Sequence, residues 1–320
     1  MKILVTGCAG FIGFNLIKKI NELTDWEIWG IDNLRYRNDE DEEIKFKRWQ
    51  LVYAKNNWIL DMNYKAGLHK YLDSQKFDII IHLAALTGVR DSINKSGEYI
   101  SNNINIFHNL LEYYKSNPAQ CIIYASSSSV YGNSDNMNED VTTDEPLNPY
   151  AFTKKSNELL AEVYNYLYGI PLVGLRFFTV YGPWGRTDMS YYKWTKAIIE
   201  GKPIDLFGTG EQKRDFTYID NITEGIVKVI DGYAALGNQH LIYNMGNHHP
   251  VSMNWVITQL ETIIGKKAII NVLPFESGDA IKTFNKSLLF DQTFNYEMNF
   301  PIDKGLELFV EWYREYSIKK

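Results

Sequence analysis

The stretch Lys2-Ile3-Leu4-Val5-Thr6-Gly7-Cys8-Ala9-Gly10-Phe11-Ile12-Gly13 reads as a buried strand, a glycine loop and the start of a helix. The apolar run Ile3-Leu4-Val5 suits a strand covered on both faces. Glycines at 7, 10 and 13 permit a tight turn, close backbone approach to a pyrophosphate, and close packing of helix on strand. The helix N-terminus adds free N–H groups and partial positive charge. A glycine triplet alone is a weak signal, but here strand, loop and helix come in the order that a dinucleotide site needs. Asp32 closes the next apolar run nineteen residues after Gly13, where a carboxylate can hydrogen-bond an adenosine ribose. The same carboxylate repels a 2′-phosphate and favours NAD over NADP, while Arg35 and Arg37 lie near enough to work the other way.

Outward from this stretch, apolar runs recur at Trp26 to Ile31, Phe77 to Leu83, Cys121 to Ser126 and Leu172 to Arg176. Between them, Phe11 to Leu23, Tyr64 to Ser74, Ile104 to Tyr114 and Tyr150 to Tyr168 carry apolar residues at helical spacing. Strands alternating with amphipathic helices predict an α/β fold, a Rossmann-type doubly wound parallel sheet. Trp58 to Leu60 is a further strand-like run followed by Asp61 and Met62, which can meet an adenine ring; a turn-forming Asp explains Asp61 equally well. Asn38 to Glu43 is acidic and lacks an apolar period, so it reads as a solvated loop. After Arg176 the alternation weakens, and aromatic, Gly and Pro residues gather in Phe177 to Gly185 and Leu206 to Tyr218. A smaller mixed α/β domain over the C-terminal edge of the sheet is expected, where ligands of such sheets bind. The expected division is 1–176, with 215–245 returning to it, against 177–214 and 246–320. The last helix, Asp303 to Tyr316, is amphipathic.

The 320 residues are 45% hydrophobic and 22% charged, an ordinary soluble composition. A net charge of -6 gives no general attraction to nucleic acid or to an anionic membrane, so anionic ligands must be held by local cations and backbone dipoles. The start of the chain is too short in apolar residues for a signal peptide or membrane span. Cys8 and Cys121 form no disulfide or metal pattern and suit a reducing, cytoplasmic setting. No metal site is expected from ligand spacing, and His248-His249 beside Pro250 reads as a loop.

Tyr150 and Lys154 stand four residues apart in a helical segment, hence on one face. A nearby ammonium favours phenolate over phenol and prepares Tyr150 as a base. At this point a solvated helix face explains the pair as well.

The glycine loop, His82-Leu83-Ala84-Ala85, Tyr124-Ala125-Ser126-Ser127-Ser128-Ser129-Val130-Tyr131-Gly132, and Tyr150 with Lys154 together resemble the extended short-chain dehydrogenase/reductase family of nucleotide-sugar enzymes. Within it, the chain is most similar to the UDP-glucuronate 4-epimerases. The resemblance runs from Met1 to about Tyr316 and is densest in Leu83 to Ser92, Leu175 to Arg186 and Lys213 to Asp220. It implies that Ser127, Tyr150 and Lys154 are the catalytic set, with Lys154 holding the nicotinamide ribose and easing ionisation of Tyr150. It implies an NAD site built from Gly7, Gly10, Phe11, Ile12, Gly13, Asp32, Asn33, Asp61, Met62, Leu83, Ala84, Ala85, Asn103, Tyr150, Lys154 and Phe177. Ile106 departs from the pattern, which has Gly there, and the region from Arg35 to Gln50 is shorter than in relatives. For the substrate it implies Thr179 and Arg186 on a carboxylate, Arg214 near ribose and diphosphate, and Phe207 near uracil, although core packing accounts for Phe207 equally well. Arg90 and Ser92 are expected to face the sugar, and His82, among Ile80, Ile81 and Leu83, to be a satisfied core residue. A homodimer through paired helices, Ile104 to Tyr114 and Tyr150 to Tyr168, is also implied.

The implied reaction is alcohol oxidation and re-reduction at the sugar's carbon 4. Tyr150 takes the 4-hydroxyl proton, Ser127 steadies the developing carbonyl, and carbon 4 exchanges hydride with NAD. Related 4,6-dehydratases and decarboxylases carry a carboxylate just after the catalytic hydroxyl, whereas this chain has Ser128 and Ser129, so epimerisation is favoured over elimination. An oxidised glucuronate is a β-keto acid that loses carbon dioxide readily. Ser128, Ser129 and Thr179 are small donors, and Arg186 can supply a charge-assisted bond that steadies the carboxylate; a salt bridge or phosphate contact are the other uses for Arg186. The expected product is UDP-galacturonate for surface polysaccharide. The rivals are a 4-epimerase of UDP-glucose or of N-acetylated UDP-hexoses, and an NAD-binding regulatory protein without turnover.

Overall fold

The structure, a computed structural model, describes every residue except 37, 38, 53, 276, 277, 279, 281, 319 and 320. Arg37, weighed above as a cation beside Asp32, lies outside the described residues. The first half runs β1 (Lys2–Thr6), α1 (Phe11–Leu23), β2 (Glu27–Asp32), α2 (Asp39–Leu51), β3 (Asn56–Ile59), α3 (Lys65–Asp73) and β4 (Ile79–His82). Two short helices follow, α4 (Val89–Asn94) and α5 (Ser96–Tyr99), then a π-helical turn, Ile100–Ile104, that leads into α6 (Asn105–Tyr114). Next come β5 (Cys121–Ser127), a 3-10 turn at Ser128–Tyr131, α7 (Pro149–Tyr168) and β6 (Leu172–Phe177).

These six strands and a later one, His240–Met245, form one sheet of seven parallel strands, with His240–Met245 on its edge beside β6. Across the sheet the order continues β5, β4, β1, β2, β3. It reverses direction of progression between β1 and β4, the crevice where ligands of doubly wound sheets bind. Side chains alternate across the sheet. Ile3, Val5, Ile79, Ile81 and Ile123 pack under α1 and the helix Ile219–Leu236, while Leu4, Ile80, Ile122 and Tyr124 pack with Leu68, Phe107, Leu110 and Ala161 on the opposite face. His82 lies in this core, its Nδ1 2.8 Å from Thr6 Oγ1 and its ring stacked on Phe107. Burial pushes its pKa down to about 3.

The rest of the chain supplies β7 (Thr179–Tyr181), α8 (Ser190–Glu200), β8 (Pro203–Phe207), β9 (Lys213–Tyr218), α9 (Ile219–Leu236), β10 (His240–Met245) and β11 (Pro250–Ser252). It ends with α10 (Met253–Ile264), β12 (Ile269–Leu273), β13 (Lys282–Thr283), α11 (Leu289–Phe294) and α12 (Ile302–Ile318). β9 is a hub that pairs with β7, β11 and β13, and β12 pairs with β8. An aromatic cluster of Tyr191, Tyr192, Trp194, Phe216, Phe309 and Tyr313 forms the core here.

One expectation is corrected. Of the expected solvated loop Asn38 to Glu43, Asn38 lies outside the described residues and 39–43 begin the helix α2. Its inward residues are Asp41, Ile44 and Arg48, spaced by three and four as a helix requires, but two of the three are charged. A search for apolar periodicity passes over such a helix.

Candidate active site

The glycine loop joins β1 to α1 at the sheet's C-terminal edge. Gly7 has φ +74°, and a Cβ on it would meet Ala84 N at 2.8 Å; a Cβ on Gly13 would sit 2.3 Å from Gly7 O. Only glycine allows this turn and this approach. Among the described residues no side chain caps the N-terminus of α1, and its first turn carries no acid. Its free N–H groups therefore remain available to an anion, and the cradle fits a pyrophosphate.

Asp32 ends β2 in a buried position. Its Oδ2 accepts the Ala9 N–H at 3.1 Å and its Oδ1 accepts the Leu34 N–H at 2.8 Å. Lys45 Nζ of α2 stands 2.9 Å from the same Oδ1. The Arg35 guanidinium is paired with Glu98 at 2.7 Å. Asp61 forms a turn, its Oδ1 accepting the Asn63 N–H at 2.9 Å, and the residue lines a small cavity with Asp32, Asn33, Met62, Ala84 and Ile106. That cavity shares Gly7, Gly10, Leu83 and Ala85 with the main cleft.

The main cleft has a volume of about 960 Å³ and runs from the glycine loop across the ends of β4, β5 and β6 to β8 and β9. That is large for a ligand cavity. Phe11, Ile12, Gly13, Ser127, Ser128, Ser129, Tyr150, Lys154, Phe177, Thr179, Arg186, Arg90, Phe207 and Arg214 all line it. Asn103 and Ser92 do not. Asn103 is buried behind the wall, where Oδ1 accepts the Leu86 N–H at 2.7 Å and Nδ2 donates to Leu86 O and Thr153 Oγ1. Ser92 turns inward and donates to Val89 O. In both cases packing turns the side chain away from the cavity.

Tyr150 stands in the first turn of α7. The helix starts there because Asn148 accepts the Ala151 N–H at 2.9 Å and Pro149 supplies a preset φ. Ser127, at the end of β5, lines the cleft beside Tyr150, and its Oγ accepts the Ser129 N–H at 3.1 Å. Lys154 is buried, donates to Ala125 O at 2.8 Å and lies 5.9 Å from the Tyr150 ring centroid. Burial raises the Tyr150 pKa, against a downward pull from the Ser127 hydrogen bond and the Arg186 charge. The Lys154 ammonium is directed to the strand carbonyl, and the groups that pull the Tyr150 pKa down are Ser127 and Arg186. Burial brings the Lys154 pKa down to about 8, and Glu158, one turn along α7, partly offsets this. Glu158 is itself held by Arg176 Nε at 2.8 Å and Nη2 at 2.9 Å, and by Ser126 Oγ at 2.6 Å. This buried pair locks α7 to β5 and β6 behind the hydroxyl set.

A buried ammonium with a carbonyl partner is costly to the fold. In the ligand-free protein, Lys154→Met is expected to raise stability at pH 7 by about 2 kcal/mol. A lysine whose folded pKa, about 8, lies below its usual 10.5 binds fewer protons folded than unfolded, so wild-type stability rises with pH across that window and the gap narrows. Thermal melting at pH 7 and pH 9 reads this; a variant less stable than wild type at pH 7 contradicts it.

At the far wall, Asp188 grips Arg186 side-on, with Nε–Oδ1 at 3.0 Å and Nη2–Oδ2 at 2.6 Å. The Arg90 guanidinium lies over the Phe207 ring at 3.7 Å, a cation–π contact across the cleft. Arg214 donates to Ala280 O at 2.6 Å and Lys213 O at 2.9 Å. Lys45 and Asp188 are cleft-lining residues that sequence reasoning missed, and Arg48 supports the wall from behind through the Ala9, Trp184 and Gly185 carbonyls. The spacing of Lys45 and Arg48, three apart on a helix, was the available signal.

A glycine cradle at an uncapped helix start, opening into a cleft with a Ser–Tyr–Lys set, defines a dinucleotide-dependent enzyme of alcohol and carbonyl groups. The chain belongs to the NAD dependent epimerase/dehydratase family, whose model matches residues 3–246. It is 40% identical to UDP-glucuronate 4-epimerase 6 of Arabidopsis thaliana over 334 residues, covering 99% of this chain and 72% of that protein. The UDP-glucuronic acid 4-epimerase of Bacillus cereus, solved with UDP-glucuronic acid and NAD, superposes with a TM-score of 0.92 at 34% identity, covering 99% of this chain and 100% of that one. MoeE5 in complex with UDP-glucose and NAD superposes with a TM-score of 0.86 at 28% identity, covering 99% of this chain and 100% of that one.

Proposed function

We propose that the protein is an NAD-dependent 4-epimerase that converts UDP-glucuronate to UDP-galacturonate. The observation that carries this reading is Arg186 in one cleft with Ser127, Tyr150 and Thr179, with no carboxylate at positions 128 and 129. NAD, held by the glycine cradle and by Asp32, supplies a hydride acceptor that becomes the donor on the return. Tyr150 Oη takes the 4-hydroxyl proton and gives it back to the same oxygen after the sugar has turned its other face. Ser127 hydrogen-bonds that oxygen while it is a carbonyl. Lys154 positions the cofactor ribose. Arg186 and Thr179 hold the sugar carboxylate out of line with the carbonyl, which keeps the 4-keto sugar acid from losing carbon dioxide. Residues 1–176 with 215–245 are the dinucleotide half in this reading, and 177–214 with 246–320 the nucleotide-sugar half.

A second reading, a 4-epimerase of neutral UDP-hexoses, draws on Asp188, which already occupies one edge of Arg186. NMR of the products formed from UDP-glucuronate, UDP-glucose and UDP-N-acetylglucosamine decides between them. A UDP-pentose or a 4-keto-6-deoxy sugar as main product would sink both.

Among the described residues no helix is long and apolar enough to cross a membrane. The unpaired, buried Cys8 and Cys121 accord with a cytoplasmic place. α7 exposes Phe152, Leu159, Val163 and Tyr166, the last 85% exposed, along one stripe. A homodimer through α6 and α7 covers that stripe. Light scattering at micromolar concentration tests it, and a monomer contradicts it.

A further inference from the structure

Arg48 is the least expected charge in the molecule. It lies on α2, is only 3% exposed and borders the main cleft. Its Nη2 donates to Trp184 O at 2.6 Å and Gly185 O at 2.9 Å, and its Nη1 reaches Ala9 O at 3.4 Å. One guanidinium thus bonds the backbone of the glycine loop and of the segment immediately before Arg186. Nearby Asp41 favours the cation, whose pKa burial brings down to about 10. Burying an arginine costs several kcal/mol unless geometry repays it, and an apolar residue fills such a position at less cost. Its retention therefore points to placement rather than to stability.

The segment it grips is also strained. Trp184 holds φ at +62°, a region that residues with a Cβ seldom adopt. Its ring is fixed by Phe14 and Trp312, each 5.4 Å away, and by Tyr316 at 5.9 Å. The segment is tied by its backbone through Arg48 and by its side chain through Trp184, and strain kept in this way marks a site whose geometry matters.

We propose that Arg48 is a positioning residue for selectivity towards the sugar acid: it ties the Arg186 segment to the glycine loop and so holds the Arg186 guanidinium where the carboxylate arrives. This rests on the glucuronate reading. The test compares Arg48→Lys and Arg48→Met with wild type, all NAD-loaded, on UDP-glucuronate and on UDP-glucose. In Arg48→Met the KM for UDP-glucuronate is expected to rise roughly tenfold or more while kcat and both constants for UDP-glucose stay within about threefold. Arg48→Lys, which keeps the charge but not the fork, is expected to fall between. Equal losses on both sugars overturn the proposal, and if Arg48→Met does not fold the Lys variant alone carries the comparison. A second readout does not depend on the substrate. Crystal structures of wild type and Arg48→Lys are expected to differ by about 1 Å in the Trp184–Arg186 backbone, a displacement that matters at a reacting centre. An unmoved segment overturns the proposal. Wild-type protein inert on UDP-glucuronate defeats the substrate reading instead, and the crystal comparison still judges Arg48.

Discussion

Tyr150→Phe is expected to lower kcat on the preferred UDP-sugar by about a thousandfold, with substrate and NAD affinities changed little. The substitution removes one oxygen and leaves the ring, which packs edge-on against Tyr99 at 6.4 Å. The first turn of α7 keeps its Asn148 cap, and Lys154 keeps its bond to Ala125 O, so the fold and the cleft persist. What disappears is the atom that takes and returns the 4-hydroxyl proton. Ser127 remains, but a serine hydroxyl is far too weak a base at neutral pH to replace a phenol. Rates followed by NMR, with binding measured by calorimetry, read the two quantities apart. A variant within tenfold of wild type in kcat would remove Tyr150 from the proton transfer.

Arg186→Leu is expected to reduce kcat/KM for UDP-glucuronate about a hundredfold and that for UDP-glucose by about tenfold less, the shared part of the loss coming from the positive charge removed near Tyr150. Two effects add here. The carboxylate loses a charge-assisted partner, and Asp188 loses the guanidinium it faces at 2.6 Å, which makes the local charge more negative where the sugar acid arrives. A companion variant, Arg186→Leu with Asp188→Asn, separates them: the double change is expected to recover part of the loss on UDP-glucuronate. Parallel losses on both sugars would assign Arg186 to the diphosphate or to the fold.

Much of this was legible beforehand, for physical reasons. The sheet half follows from alternating buried runs and amphipathic helices, and α1 lies at Phe11–Leu23 as the periodicity predicts. Glycine spacing and Asp32 sit where backbone geometry demands particular residue types. Other features hide in sequence. α2 buries charges, so its pattern does not look apolar. The position of Asn103 could be carried over from a family but not its side-chain direction, which depends on Leu86 and Thr153. Arg48 meets residues 136 and 137 positions away, a contact that only the closed fold creates. The ionisation of Tyr150 depends on burial and on Arg186, neither of which a four-residue spacing reports.

The edge strand β10 has a consequence for how the chain is made. It pairs in parallel with β6, yet β7, α8, β8, β9 and α9 are all synthesised between the two. Until Met245 has left the ribosome, β6 presents an open row of backbone donors and acceptors, the kind of edge on which nascent chains stick to one another. A chain halted within residues 178–239 therefore carries an unfinished sheet with β6 as its open edge, and the α9 side of its core is incomplete as well.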